Sequence, residues 1–433
     1  MTAQMMIALS IFVGCYVLIA TEKINKIVVA LSGAVIFLFL GQLFQKVPFF
    51  SQEDAFFTYI DWNVIFLLIG MMIMVGVIKN TGIFEFIAIF LAKKAKGDPK
   101  KILLMLFFIT GIFSAFLDNV TTVVVIAPIS ILIAVELGIS PIPFIITQAL
   151  ASNIGGTATL IGDPPNLMIG SAAELSFLDF LKNLGEFVIF CMIYNAAMVY
   201  LFFRKSLKVS NERRARIMEF NEKELIKDKS LMVYSLVVFG IFLGLLLLQD
   251  VLKLHAATIA LFVAVLLLLR ARKLNVEHFL SSEIDWNSIL FFIGLFIMVG
   301  ALDKTGLIQY FSDKIMLVTK GDMKLTAVSI IWTSGIASSV LDNIPFVAAM
   351  IPMIKDIIAE VGDKALPLWW ALSLGACLGG NGTLIGASAN IISVGICKKS
   401  NFPISFWTFT KYGALITAIN LVLASAYVLY RYF

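Results

Sequence analysis

Two carboxylate–amide pairs, Asp118-Asn119 and Asp342-Asn343, stand 224 residues apart, each inside a long apolar stretch. An ionisable side chain buried at membrane depth is costly, and such residues usually mark an ion or proton pathway. Burial disfavours the charged form of a carboxylate, a neighbouring like charge disfavours it further, and a bound cation favours it. A carboxylate that is protonated when empty and ionised when a cation arrives can couple proton movement to the movement of a second solute. A protonated aspartate can also cap the helix that follows it, and capping and ion binding can coexist.

Other groups surround these acids in sequence. Asn119, Thr121, Thr122 and Asn343 supply neutral oxygens and amides beside the carboxylates, with Thr121 replaced by Pro345 in the second copy. Further on, Gly155-Gly156-Thr157 corresponds to Gly379-Gly380-Asn381, and Gly382-Thr383 follows. We expect an unwound stretch there, whose free amides, carbonyls and half-helix dipoles can bind an ion or polar solute. Asp163-Pro164-Pro165-Asn166 corresponds to Ala387-Ser388-Ala389-Asn390. Asn166 and Asn390 survive in both copies and are candidates for polar lining. Asp163 is a possible third carboxylate, and its proline pair reads equally as a helix-shaping element. Cys377 takes the place of Asn153; its sulfur is a soft ligand, while a small buried apolar role is the plainer reading.

These groups sit in a duplicated frame. Ile60-Asp61-Trp62-Asn63 returns as Ile284-Asp285-Trp286-Asn287, Gly70 and Gly76 as Gly294 and Gly300, and Pro128 as Pro352, always at an offset of 224. Hydrophobic residues make up 60% and charged residues 14%, with a mean hydropathy of +0.97, which describes a polytopic all-α membrane protein. A half-length duplication in such a chain is the mark of a transporter built from two repeats around a shared site. The first apolar span, from Met5 to Ala20, reads as a retained helix. Cys15, Cys191, Cys377 and Cys397 lack the pair spacings of zinc or redox sites, His255 and His278 are far apart, and no Gly-Lys-Ser/Thr closes a phosphate loop. Neither an enzyme, a metal centre, an organic cofactor nor a nucleic-acid partner is expected.

Apolar runs fall at about 5 to 21, 24 to 41, 62 to 95, 101 to 138, 144 to 172 and 184 to 203, and again at about 231 to 249, 254 to 271, 286 to 318, 324 to 361, 366 to 397 and 409 to 431. The expected domains are residues 1–203, a linker 204–229 and residues 230–433. Residues 101–138 and 324–361 are too long for one span and carry the Asp-Asn break at their centres. A re-entrant hairpin with arms shorter than about 18 residues accounts for each, against two short full spans joined by a loop. Segments 144–172 and 366–397 then form the broken helices. Five crossings plus a hairpin per repeat invert the second copy.

The charges agree with that topology. One face receives Lys23, Lys26, Lys93, Lys94, Lys96, Lys100, Lys101, the linker, Arg270, Arg272, Lys273, Lys398, Lys399 and Lys411; the other receives scattered residues such as Lys46, Lys182, Lys253, Lys320 and Lys364. The positive-inside rule makes the first face cytoplasmic and puts both termini outside. The linker carries nine basic and five acidic residues, a net +4 that suits an inter-repeat connection.

Phe113 to Thr122 with Ala127-Pro128, then Asn153-Ile154-Gly155-Gly156-Thr157 and Ile161 to Asn166, resembles the ArsB/NhaD branch of the ion transporter superfamily, closest to its P-protein group. The resemblance covers essentially the whole chain. It implies a scaffold and a transport domain, a homodimer, elevator-like alternating access, and arsenite or antimonite efflux coupled to protons, in some members assisted by a separate cytoplasmic ATPase. Sodium/proton antiport is the alternative within the branch. The acidic hairpin tips disfavour a dicarboxylate carrier, whose tips read Ser-Asn-Thr. They also depart from the best-known arsenite permeases. An intramembrane aspartyl protease would need the two acids a few Å apart, and a passive channel would show flux without saturation. The expectation is a proton-coupled transporter of the cell membrane, with Asp118 and Asp342 carrying the coupling ion, a proton or sodium. Its partners are lipid and a small inorganic solute or ion.

Overall fold

A computed structural model describes residues 1–21, 23–43, 51–271 and 275–433; Lys46, Arg272 and Lys273 of the charge pattern lie outside the described residues. The described secondary structure is helical throughout. Seven of the described helices are long and apolar enough to cross a membrane, and Ala3–Ile19, Lys26–Gly41, Ala256–Arg270 and Pro367–Gly379 are shorter apolar helices. The chain is a multi-pass membrane protein.

The two halves repeat element by element. Helices Trp62–Asn80 and Trp286–Lys304, Ile83–Lys94 and Leu307–Thr319, Pro99–Phe116 and Met323–Val340, and Asn119–Leu137 and Asn343–Val361 begin at matching positions. The duplicated Asp of the Ile-Asp-Trp-Asn motif explains two of these starts. Asp61 Oδ1 accepts Val64 N at 3.1 Å, and Asp285 Oδ1 accepts Asn287 N and Ser288 N at 3.1 and 3.2 Å, so both are N-caps.

The runs at 62–95 and 286–318 differ from the single span expected of each. A left-handed glycine, Gly82 at φ 83° and Gly306 at φ 74°, ends one helix and starts the next. Such a φ suits glycine because it has no Cβ.

Helices of the two repeats interlock. Helix 256–270 packs on 62–80, and 286–304 packs on 26–43. Gly70 and Gly294 permit this, because a Cβ at either would stand 2.8 Å from the backbone of Ala260 or Ala30.

Each hairpin consists of two packed helices separated by two residues, at Leu117-Asp118 and Leu341-Asp342. Their arms are 18 and 19 residues long, slightly longer than the sequence pattern implied, because the first arms reach outward to the Asp98 and Asp322 caps and the return arms run on to Gly138 and Gly362. Next come the discontinuous helices Ile142–Gly156 with Pro164–Ala172, and Pro367–Gly379 with Ser388–Lys399. The duplicated Ser114 and Ser338 donate to Ser152 O and Ala376 O at 2.7 and 2.6 Å, fixing each hairpin to the helix that follows it. Each return arm then packs on the second half-helix of the opposite repeat, 119–137 on 388–399 and 343–361 on 164–172. Both hairpin tips therefore converge on both helix breaks.

Candidate functional site

The convergence point is polar and closed. Asn119, Asp163 and Asn343 are at most 4% exposed, and Asn153, Asn166, Cys377, Asn381 and Asn390 are fully buried. Asp163 holds the junction. Its Oδ1 accepts Asn119 Nδ2 of the first tip at 3.2 Å, and both its oxygens lie 3.4 Å from Asn343 Nδ2 of the second. No ion pair among the described residues involves Asp163. Its repeat counterpart, Ala387, has no carboxylate, so the centre contains one acid and not a mirrored pair.

Asn166 and Asn390 close the helix breaks. Asn166 Nδ2 donates to Thr159 O at 2.9 Å and lies within 3.4 Å of Gly156 O and Thr157 O. Asn390 Nδ2 donates to Gly380 O at 2.8 Å and Thr383 O at 3.0 Å. Carbonyls freed by unwinding need partners where lipid supplies none, and these two amides supply them. That requirement accounts for their presence in both copies.

Asn153 is the functional-site residue that the motif reading passed over. It accepts Asn119 Nδ2 at 3.0 Å and donates to Asn381 Oδ1 and Asn390 Oδ1 at 2.8 and 3.0 Å. The available signal was an Asn in an apolar helix two residues before Gly155. Cys377, its counterpart, points its thiol at Asn166 Oδ1, 3.5 Å away, and Ser373 Oγ donates to the same oxygen at 2.6 Å.

The remaining candidates are distributed around this cluster. Thr157 Oγ1 donates to its own helix at Asn153 O (2.8 Å), and Thr383 Oγ1 donates to Ser339 O across to the hairpin. Asn381 Nδ2 donates to Leu150 O at 3.2 Å. Thr122 Oγ1 is buried and has no hydrogen-bond partner among the described residues. Gly155 and Gly379 are helical and pressed against Gly111 and Gly335 of the first hairpin arms, so a Cβ would collide with backbone. Gly156 and Gly380 face the other end of their own breaks, at Gly162 and at Gly386 and Ala387.

The two tip carboxylates have different environments. Asp118 caps its return helix, accepting Thr121 N at 2.9 Å and the Thr121 hydroxyl. Asp342 Oδ2 accepts Lys26 Nζ at 3.2 Å and Ser388 Oγ at 3.0 Å, and Oδ1 lies 3.4 Å from Ile344 N. Lys26 Nζ also reaches Ser388 Oγ at 3.3 Å and sits 5.1 Å from the Phe291 ring centre. Lys26 carried only a topological signal in the sequence. Asp342, Lys26, Ser388, Asn287 and Tyr16 line a cavity of about 430 Å³. A second cavity, of about 510 Å³, is lined by Asn63, Ser171, Lys253 and His255 among others. Asp118 lines neither. The first cavity is large enough for a small solute and holds cationic, anionic and hydroxyl groups.

Comparison with known proteins gives this arrangement a context. The family model described as "Citrate transporter" matches residues 16–375. An uncharacterized transporter of Mycobacterium tuberculosis is 42% identical over 432 residues, covering 99% of this chain and 98% of its own. A 46 kDa membrane protein of Mycobacterium leprae is 42% identical over 431 residues, with 98% of each chain covered. The P protein of Mus musculus is 30% identical over 507 residues; the match spans 99% of this chain and 60% of that one. The crystal structure of the YdaH transporter of Alcanivorax borkumensis, reported to have an unusual topology, aligns with a TM-score of 0.59 at 14% identity, covering 93% of this chain and 95% of that one. That likeness concerns the fold alone. By the span of the family match and by its relatives, this chain belongs to the citrate transporter (CitMHS) family of membrane transporters.

Proposed function

We propose that the protein is a proton-coupled secondary transporter of a small solute, working by elevator-type alternating access, and that Asp163 carries the coupling proton. One observation supports this most: the carboxylate at the junction of the repeats receives an amide from each hairpin tip and, among the described residues, has no cationic side chain on it. An unpaired charge there is expensive, so the group holds a proton when the site is empty and gives it up when the surroundings change. Asp342 is neutralised by Lys26 and Asp118 is engaged by Thr121. Both flank the coupling group, Asp342 at the cavity and Asp118 at the opposite tip.

The solute we favour is arsenite or antimonite, moved out of the cell. Neutral As(OH)₃ needs only hydrogen-bonding groups, and the cavity presents Asn287, Ser288, Ser388 and the Lys26–Asp342 pair. Sodium/proton exchange is less well served, since the side-chain amides of both hairpin tips turn N–H groups toward Asp163. An organic anion is a second reading, favoured by the family's name and by Lys26; against it, Asp342 and Asp285 outnumber the one lysine in the cavity. In this reading the protein lies in the cytoplasmic membrane as a homodimer, alone or with a separate ATPase. The linker 204–229 is inside the cell and the termini are outside.

The test is flux into proteoliposomes under an imposed pH gradient, with arsenite, antimonite, sodium or citrate supplied in turn. Dissipation of the gradient by arsenite or antimonite, absent in Asp163→Asn, is the expected result. Dissipation by sodium alone or citrate alone replaces the solute, and unaltered coupling in Asp163→Asn removes the role of that residue.

A further inference from the structure

The two cavities are repeat counterparts. Asn287 and Ile391 of the first correspond to Asn63 and Leu167 of the second at the offset of 224. On the scaffold helix the offset is 230, because Gly294 meets Ala30 and Gly70 meets Ala260 in the same way. Lys26 of the first cavity therefore corresponds to Ala256 of the second, and Asn25 to His255. The first cavity reaches its hairpin tip at Val340, Leu341 and Asp342, whereas the second contains no residue of the first hairpin. One vestibule is open to its tip and the other is not.

What distinguishes the open side is an ion pair that reaches the hairpin tip. The helix 26–43 packs on 286–304 in the scaffold, and from its first residue Lys26 spans to the tip of the second hairpin. The Asp342 side chain is 13% exposed and that of Lys26 37%. Ser388 hydrogen-bonds both partners, which fixes the geometry. At the first tip the Asp118 carboxylate is engaged by Thr121 of its own helix and, among the described residues, by no cation, and the scaffold position facing it in the mirror arrangement is an alanine. Lys253 lies in that cavity, but its counterpart by the same offset, Lys23, makes no ion pair among the described residues.

We propose that Lys26 is a positioning residue, a tethered counter-ion that latches the second hairpin to the scaffold in the conformation described, and that the mirror conformation has no such latch because Ala256 stands in its place. This deepens the alternating-access reading and rests on it. The hairpin leaves the scaffold only by breaking the Lys26–Asp342 pair. The transporter is thus biased toward the state in which the Lys26 cavity is open, and a mobile cation or proton at Asp342 would compete with the lysine.

The experiment measures thiol labelling of two tip positions, Leu341→Cys, which lines the open cavity, and Leu117→Cys, which is 4% exposed. The four native cysteines are buried and provide the background rate. In purified protein that remains monodisperse, Lys26→Met is expected to lower labelling at 341 and raise it at 117 by threefold or more. Asp342→Asn is expected to do the same, with no further change in the double variant, while Lys26→Arg stays near wild type. Ala256→Lys should shift labelling from 341 toward 117 only while Asp118 is intact, by installing the missing latch. Rates within twofold of wild type in both Lys26→Met and Asp342→Asn overturn the proposal, as does an Ala256→Lys shift that survives Asp118→Asn. No solute is used, so failure here is separate from failure of the transport assay.

Discussion

Asn153 donates through Nδ2 to Asn390 Oδ1 at 3.0 Å, and Cys377, its counterpart 224 residues on, makes the mirrored contact to Asn166 at 3.5 Å. Each first half-helix thus holds the asparagine that closes the opposite repeat's break. The two breaks are organised by each other, which ties the halves together at the site. The contact in which Asn153 takes part is also the one joined to the Asp163 junction, through Asn119.

Removing the closing amide should be costly on either side. Asn390→Ala leaves Gly380 O and Thr383 O without their side-chain donor, and a buried polar group left unpaired costs about 1–3 kcal/mol. Asn166→Ala should cost a similar amount. Cys377→Ala removes a weak thiol donor that meets both Asn166 and Asp163, and Ser373 still serves Asn166, so it should cost less than about 1 kcal/mol by the modest net worth of a hydrogen bond. Thermal stability in detergent checks the ranking, and equal losses for Cys377→Ala and Asn166→Ala would contradict it.

The glycines divide cleanly. A Cβ at Gly379 would stand 2.6 Å from the backbone of Gly335, and one at Gly155 would overlap Gly111. Overpacking against backbone costs about 1–3 kcal/mol or more, so Gly155→Ala and Gly379→Ala should sharply reduce recoverable folded protein. Gly240 and Gly244 have open space on one helix, where alanine gains roughly 0.5–1 kcal/mol. Fluorescence-detected size exclusion of the four variants separates the two classes.

Much of this architecture is visible in the chain because the duplication repeats its polar punctuation. Asp61 and Asp285, Ser114 and Ser338, and Asn166 and Asn390 each perform one local task twice, as cap, brace and break closure. A feature used in both copies announces itself. The residues that make the copies unequal do not: Asp163 faces Ala387, Asn153 faces Cys377, and Lys26 faces Ala256 across a six-residue shift in offset. Lys26 reaches Asp342 over 316 residues of sequence, and no spacing rule connects them. Glycine was legible as a break signal, but Gly155 and Gly379 act through helix contact, which depends on a partner helix and not on the local run.

Asp163 and Asp118 should separate in mutants. Asp163→Asn retains shape and hydrogen-bonding capacity while removing the titratable proton, so proton-coupled flux should fall at least 100-fold, about 2.7 kcal/mol in the limiting step, with thermal stability nearly unchanged. Asp118→Asn keeps a competent N-cap at Thr121, and asparagine caps nearly as well as aspartate, so its stability should also hold and its flux should fall far less. Flux under a pH gradient together with melting curves decides this; a larger flux loss in Asp118→Asn would transfer the coupling role to the first tip.

The linker gives a prediction at acid pH. Lys93 Nζ donates to Glu222 Oε2 at 2.6 Å and to Phe220 O at 2.9 Å, Arg214 lies 3.6 Å from Asp98, and Lys227 N donates to Thr81 O at 3.0 Å. These contacts strap residues 204–229 across the ends of the neighbouring helices. The hydrogen bond from Lys93 holds the Glu222 carboxyl below its ordinary range. A carboxyl with a lowered folded-state pKa contributes its full stabilisation above the ordinary glutamate value, about 4.3, and loses it as the pH falls through the lowered value. Proteolytic nicking of the linker should therefore be constant from about pH 6 to 8 and rise below about pH 4, the window set by that glutamate value. Glu222→Gln should show the raised nicking rate already at neutral pH, because an amide cannot hold the Lys93 ammonium as an ion pair. A Glu222→Gln profile identical to wild type at both ends would show that Phe220 O and the Thr81 contact carry the strap without it.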